Sequence, residues 1–92
     1  MKSLFILNNP TKLDACLNAM STQDGLLLIE DAVIATHHSG LSCVTYALEE
    51  DLIARGLSQL VKQHLVNSNI KIIDYTQFVE LTLQYDKTVS WL

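Results

Sequence analysis

Two stretches decide the fold class: Ala47-Leu-Glu-Glu-Asp51-Leu-Ile-Ala-Arg55-Gly56 and Ile70-Lys-Ile-Ile73-Asp74-Tyr75-Thr-Gln-Phe78-Val79. In each, a short apolar run ends in acidic residues, and a pattern typical of an amphipathic helix follows. A strand that passes directly into a helix is the building unit of a parallel α/β sheet. The two stretches therefore predict half of a small α/β domain.

The first half of the chain repeats the same unit. Leu4-Phe-Ile-Leu7 and Leu26-Leu-Leu-Ile29 are continuous apolar runs, as expected of strands buried on both faces of a parallel sheet. Thr11 is the predicted cap of the helix between them. The apolar stripe of that helix consists of Leu13, Cys16, Leu17 and Met20.

The chain as a whole predicts the order β-α-β-α-β-α-β-α in one small domain, residues 1–92. We expect an α/β fold with a parallel four- to five-stranded sheet and helices on both faces. The other predicted strands are Cys43–Leu48 and Ile70–Ile73. The other predicted helices begin at Asp31, Asp51, Ser58 and either Asp74 or Thr76. The stripe predicted for the last helix consists of Phe78, Val79, Thr82 and Leu83.

Carboxylates crowd the loops after the predicted strands, where α/β proteins place their active sites. No GxGxxG sequence or P-loop accompanies them, which disfavours a nucleotide or flavin site, and we expect no cofactor. Asp31, Asp51 and Asp74 each stand where a helix is predicted to begin. We therefore interpret them as N-caps rather than metal ligands or acid–base groups.

The composition predicts an obligate oligomer. Of the 92 residues, 49% are hydrophobic and 17% are charged, and so small a domain cannot bury that much apolar surface in its own core. The surplus is expected at a subunit interface.

The charge pattern excludes some partners. The net charge is −4, and the six basic residues are scattered singly, so direct contact with nucleic acid is not expected. No apolar run approaches the roughly 18 to 20 residues that span a bilayer. The N-terminus has no signal-peptide pattern, so we expect a cytoplasmic protein that does not associate with a membrane.

Cys16 and Cys43 are too few for a disulfide scaffold. On the apolar stripe of the first helix, Cys16 is interpreted as a small core residue. Its alternative role is that of a persulfide carrier, which requires stabilisation of the thiolate. Cys43 opens a predicted strand and is expected to be inert.

Histidines and the single tryptophan complete the candidate residues. His37-His38 lies in a polar turn and lacks the further ligands of a zinc site. His64 falls on the apolar side of its predicted helix and is expected to be half-buried, either in the packing of the chain or at an interface. Trp91 stands almost at the end of the chain, where a large aromatic side chain is interpreted as an anchor against the domain itself or a neighbouring subunit, and we expect it at the interface.

Several short motifs occur in an order that resembles the DsrH/TusB family. They are Asp51-Leu-Ile-Ala-Arg55-Gly56, Asp74-Tyr75-x-x-Phe78-Val79-x-Leu81-Thr82 and the near-terminal Trp91. Leu27-Leu-Ile-Glu30-Asp31-Ala32-Val33 is similar to the family's strand-to-helix turn, although Ala32 stands where the family usually has glycine.

The resemblance implies a non-catalytic subunit of a heterohexameric sulfur-relay complex with two copies of each of three subunits. The implied partners are TusC/DsrF-like and TusD/DsrE-like paralogues, and a TusE/DsrC-like protein accepts sulfur from the complex. The complex would pass persulfide sulfur towards 2-thiolation of the wobble uridine of tRNA. The principal sulfur-carrying cysteine of the family belongs to the TusD/DsrE-type partner.

The resemblance also keeps an alternative open. DsrH-type chains carry a cysteine in the first helix, about where Cys16 stands, so this chain could be a persulfide-carrying subunit in dissimilatory sulfur oxidation. A third hypothesis is a stand-alone homodimeric binding module, which predicts good behaviour without partners. An obligate subunit instead predicts poor solubility when it is expressed alone.

Overall fold

A computed structural model describes residues 2–37, 43–57 and 70–91. The strands are β1 (Ser3–Leu7), β2 (Gly25–Leu28), β3 (Val44–Leu48), β4 (Ile70–Ile73) and β5 (Lys87–Trp91). The α-helices are α1 (Leu13–Ala19), α2 (Glu49–Ala54) and α3 (Tyr75–Gln84). Two 3-10 helices, η1 (Pro10–Lys12) and η2 (Glu30–His37), complete the described elements. The predicted helix from Ser58, with His64, lies outside the described residues.

The strands form one five-stranded sheet in the order β4-β3-β2-β1-β5, and every pairing is parallel. This confirms the predicted α/β fold with a parallel sheet. In register, Ile6 of β1 lies beside Leu27 of β2, which lies beside Tyr46 of β3 and then Lys71 of β4.

The position of the fifth strand was not predicted. Lys87–Trp91 pairs with β1 along its whole length and forms one edge of the sheet. Val89 and Trp91 are half-buried in it, while Ser90 between them is exposed, as are Lys87 and Thr88 before them. This alternation is the pattern of an edge strand rather than the continuous apolar run of a central one.

The two faces of the sheet carry different layers. On the face that we call face A, α1, η2 and α2 pack over a core that includes Phe5, Leu26 and Leu28. On the opposite face B, α3 packs over Leu4 and Leu27. Helices therefore cover both faces, as predicted. The path explains the layers, because β1 to β4 advance in one direction and the chain then returns through α3 to place β5 beside β1.

Of the predicted N-caps at Asp74 and Thr11, one is confirmed and one is not. Asp74 is an N-cap as predicted, and it forms a capping box with Gln77: each side chain accepts a hydrogen bond from the other residue's backbone amide. The prediction for Thr11 was wrong. Asn9 accepts from the Thr11 amide at 3.0 Å and is the cap, because a 3-10 turn with Pro10 at its start precedes α1.

Candidate functional site

A polar network joins the loops at the carboxyl ends of β2 and β3. Oδ2 of Asp51 accepts a hydrogen bond of 2.7 Å from the backbone amide of Glu30. Nε of Arg55 lies 3.0 Å from Oδ1 of Asp31, and its Nη1 lies 3.7 Å from Oδ1 of Asp51. The network therefore ties the start of η2 to the side of α2.

The sequence of α2 explains where Arg55 points. Asp51 and Arg55 are four residues apart and so lie on one side of the helix. Gly56 ends the helix with a φ of 71°. The Gly56 amide donates to the carbonyl of Ile53 and the Leu57 amide to that of Leu52, which is the Schellman pattern. The motif Asp51 to Gly56 is therefore a helix with an ion pair along it and a glycine stop.

This geometry corrects two predicted N-caps. Helix α2 begins at Glu49, so Asp51 lies inside its first turn and accepts from the loop after β2 instead. Asp31 lies within η2 and pairs with Arg55. Both carboxylates have a partner that is distant in sequence, which a local capping pattern cannot reveal. The role of this network is structural, because it holds the segment after β2 against the segment after β3.

Cys16 lies where its stripe predicted, on the buried side of α1, and it has no exposed surface. Burial, with a smaller contribution from Cys43, raises the pKa of the Cys16 thiol from 9.0 to about 11. The thiol is therefore protonated at neutral pH. Since the thiolate is the nucleophile, this environment disfavours reaction of Cys16.

Cys43 directly precedes β3 instead of opening it. It is half-buried and packs against the same face A core as Cys16. Its Sγ lies 3.6 Å from Oγ1 of Thr45, and that hydroxyl donates to the Cys43 carbonyl. The structure thus brings both cysteines to one core cluster, although they lie far apart in the sequence.

Trp91 joins the same cluster from the edge strand. Its ring lies 6.1 Å from that of Phe5, centroid to centroid, at an angle of 48°. Aromatic pairs are favourable at this separation, so Trp91 anchors β5 to β1 within the chain. His37 ends η2 rather than lying in a turn, and His38 and His64 lie outside the described residues.

The outer surface of α3 carries apolar residues, two of which the sequence predicted on the buried stripe of this helix. Leu81 is buried against face B, with Phe78 and Tyr85 packed beside it. Val79 and Leu83, which were predicted on the inner stripe, are 61% and 80% exposed. With Tyr75, which is 54% exposed, they form a line at every fourth residue, which we call the α3 stripe. That spacing is visible in the sequence, but its orientation depends on how the helix packs.

The other side of α3 borders a shallow groove of about 230 Å³ over β3 and β4. The lining includes Lys71, Glu80, Gln77 and Gln84. Within the described ranges, no group of three or more His, Cys, Asp or Glu side chains could hold a metal ion. In the same part of the chain, no helix has the length and hydropathy to cross a membrane.

Fold and site together define a class: a small parallel α/β protein with a buried thiol on its first helix and an exposed apolar stripe on its last. The sequence matches the family described as "DsrH like protein" over residues 8–88. The chain belongs to this DsrH/TusB family, as the motifs predicted.

Curated relatives agree with this assignment, and a solved structure agrees with the fold. The protein TusB of Escherichia coli K12 is 35% identical over 89 aligned residues, covering 88% of each chain. The protein TusB of Yersinia pestis (strain Pestoides F) is 34% identical over 87 residues, covering 86% of each. The crystal structure of the ychN protein from E. coli superposes with a TM-score of 0.72 over 99% of both chains. Its 16% identity makes it evidence for the fold alone.

Proposed function

We propose that this chain is a subunit of a sulfur-relay complex that passes persulfide sulfur for 2-thiolation of the tRNA wobble uridine. The observation that carries the proposal is the 35% identity with the TusB protein over 88% of both chains. The role is mainly one of assembly and support in the cytoplasm, without independent catalysis.

The surface of the chain supports a role in assembly. The α3 stripe presents three large apolar side chains to solvent on a helix of ten residues. Contiguous exposed apolar surface of this kind marks protein–protein contacts. The partners that we propose are the TusC/DsrF-like and TusD/DsrE-like paralogues in a heterohexamer. Interface roles for Trp91 and His64 remain part of this proposal.

The environment of Cys16 supports a subunit without its own catalysis. A fully buried thiol with a pKa of about 11 is poorly suited to accept sulfur, whereas carrier cysteines have exposed, stabilised thiolates. The sulfur-carrying cysteine is then that of the TusD/DsrE-like partner. Contact with tRNA is indirect, through a TusE/DsrC-like acceptor, since the net charge of −4 and scattered lysines offer no phosphate-binding surface.

Deletion of the gene tests this function. We expect 2-thiouridine at the wobble position to fall strongly in digests of bulk tRNA analysed by mass spectrometry. A plasmid copy of the gene should restore it. Unchanged 2-thiouridine in the deletion strain would refute the proposed role.

The alternative function is that of a persulfide carrier in dissimilatory sulfur oxidation. The placement of Cys16 on α1 favours it, because DsrH-type chains have a cysteine in the first helix. In that case the Cys16 thiolate would attack the outer sulfur of a donor persulfide. The S–S bond of the donor would break, and its inner sulfur would leave as a thiolate. Mass spectrometry would then find an adduct of about 32 Da, one sulfur atom, on Cys16. Its absence after exposure to a persulfide donor would exclude this function.

A further inference from the structure

Strand β5 forms one edge of the sheet and leaves backbone groups unpaired on its outer side. Among the described strands its one neighbour is β1, with which it pairs over its whole length. An unpaired strand edge is a template for another strand, and natural proteins usually shorten, charge or cover such edges. The sequence of β5 therefore determines which strand this edge can accept.

The hydrogen bonds of β1 indicate which of its residues face β5. The carbonyl of Leu7 accepts a hydrogen bond of 3.0 Å from the amide of Ile29, which directly follows β2. Leu7 therefore directs its backbone groups towards β2. Successive residues of a paired strand direct these groups to opposite sides, so Leu4 and Ile6 direct theirs towards β5.

The register then assigns the backbone groups of β5. These two residues of β1 lie beside Thr88 and Ser90. In a parallel ladder, a residue exchanges hydrogen bonds with the two residues that flank its partner and not with the partner itself. The bonds to β1 are therefore made by the alternate residues of the strand, Lys87, Val89 and Trp91. Thr88 and Ser90 direct their N–H and C=O groups outward.

These outward groups are self-complementary in one antiparallel register, which is centred on Val89. In it, Thr88 lies opposite Ser90 of a second copy, and the two residues exchange both of their hydrogen bonds. The two equivalent pairs give about four hydrogen bonds in all. Val89 lies opposite Val89 of the second copy as a non-hydrogen-bonded pair, with the Cα atoms about 4.5 Å apart.

The same register also matches the side chains. Val89 and Trp91 pack against the core of face A, and Lys87 lies on that face because side chains alternate along a strand. Lys87 falls opposite Trp91 of the second copy, so a cation meets an indole ring instead of another lysine. Val89 and Trp91 are only half-buried within the chain, and the contact would cover apolar surface that is still exposed.

We propose that β5 is the contact surface of a two-fold dimer of this chain, in which two sheets join edge to edge through antiparallel β5 strands. The occupant is a second copy because the strand's own sequence supplies its complement in hydrogen bonds and in charge. Five residues offer few bonds, so the dimer of the isolated chain is weak and depends on concentration. The inference does not rest on the sulfur-relay function or on the α3 stripe.

Disulfide cross-linking of the full-length chain tests the register. In a Cys43→Ser background, Val89→Cys should form a covalent dimer in a glutathione redox buffer, because its Cα separation suits a disulfide. Thr88→Cys and Ser90→Cys are the matched controls on the same strand. Two copies of either control residue lie two positions out of register, beyond the roughly 7 Å that a disulfide can bridge. Both should cross-link at least about tenfold more slowly, although their side chains are the more exposed.

Sedimentation equilibrium tests the side-chain contacts without a cross-link. Lys87→Glu should raise the dissociation constant of the dimer about tenfold, because two cation–aromatic contacts are lost in each dimer. Lys71→Glu is the matched control, since it makes the same change of charge at an exposed position on β4. It should change the dissociation constant less than about threefold, the effect of a remote surface charge.

Two results overturn the dimer. One is cross-linking of Thr88→Cys or Ser90→Cys as fast as that of Val89→Cys, because exposure alone would then explain the reaction. The other is a dimer that Lys87→Glu and Lys71→Glu weaken equally, because the effect would then come from net charge and not from β5. Selective cross-linking of Val89→Cys together with selective weakening by Lys87→Glu supports the proposed contact.

Discussion

The hydroxyl end of the Tyr85 ring lies against Gly25, so that a Cβ added at Gly25 would meet the Tyr85 hydroxyl and come within 2.7 Å of the ring's Cζ. Tyr85 follows the last turn of α3, and Gly25 is the first residue of β2. Burial and a hydrogen bond with the Tyr46 side chain raise the pKa of the Tyr85 hydroxyl. The missing side chain at Gly25 therefore makes the space that lets α3 end against face B.

Gly25→Ala is expected to destabilise the fold by about 1–3 kcal/mol, the usual cost of overpacking a core. The added methyl group would meet the rigid ring of Tyr85, which cannot withdraw without giving up its place in the cluster on face B. Urea unfolding followed by circular dichroism measures the loss as a lower midpoint with an unchanged slope.

The control for this substitution is the Tyr85→Leu background. If the clash causes the loss, Gly25→Ala should cost much less where the ring is absent, and the double-mutant cycle should show the coupling. Equal costs in both backgrounds would mean that Gly25 is required for another reason. Gly56→Ala provides a contrast, since no described residue lies within 4 Å of an added Cβ, and the positive φ of Gly56 opposes the substitution.

Asp74→Ala is expected to destabilise the chain by about 1 kcal/mol, because it removes a side-chain cap from the first turn of α3. The Asp74 carboxylate accepts from the Gln77 backbone amide at 2.8 Å, and the Gln77 side-chain oxygen accepts from the Asp74 backbone amide at 2.9 Å. Asp74→Asn keeps an acceptor in place and should cost clearly less in the same urea titration. Equal losses for the two variants would show that charge, and not capping, is what Asp74 supplies.

The capping box also shows what the sequence could reveal. Asp74 and Gln77 lie three residues apart, so their interaction is encoded locally, and β4 and α3 were predicted nearly to the residue. Asp51 and Asp31 were misassigned because their partners, Glu30 and Arg55, lie 21 and 24 residues away. A local pattern shows that a carboxylate lies near the start of a helix, but it cannot show which loop folds back to bind that carboxylate.

The same distinction holds for the candidate site. Cys16 was placed correctly, because a helical stripe determines which side chains are buried. The stripe of α3 was assigned incorrectly for Val79 and Leu83. A helix with apolar residues on two sides can bury either one, and its path from β4 back to β5 decides which side faces the sheet. That path depends on the pairing of β5 with β1, a contact across almost the whole chain.

The stability of the folded chain is expected to fall as the pH rises above about 9, in part because of Cys16. The pKa of its thiol is about 11 in the fold, against an ordinary value of 9.0. A raised pKa means that the contribution of Cys16 is fully present below pH 9 and is lost as the pH approaches 11. In that window the slope from this one group is at most about 1.4 kcal/mol per pH unit.

Cys16→Ala isolates that contribution, since the variant keeps Tyr85, whose hydroxyl also has a raised pKa. Urea unfolding at several pH values between 8 and 11 should give a shallower loss of stability for Cys16→Ala than for the unmodified chain. Parallel losses in the two chains would show that Cys16 does not titrate differently in the folded and unfolded states.

Replacing the α3 stripe is expected to separate assembly from folding. Val79→Ser with Leu83→Ser removes two exposed apolar side chains that make little contact with the core, so stability should change by less than about 0.5 kcal/mol per site. If the stripe binds the paralogous subunits, the variant should no longer co-purify with them. The isolated variant should also be more soluble than the unmodified chain, because less apolar surface is exposed.

The matched control uses the other side of the same helix. Glu80→Ser with Gln84→Ser changes two exposed residues that line the groove over β3 and β4, and it leaves the stripe intact. Affinity purification through a tagged partner subunit should recover this control and lose the stripe variant, while both unfold at similar urea concentrations. Because helix length and sheet are common to both variants, a difference between them can only come from the side of α3 that was changed. Full recovery of the stripe variant would assign the interface to another surface.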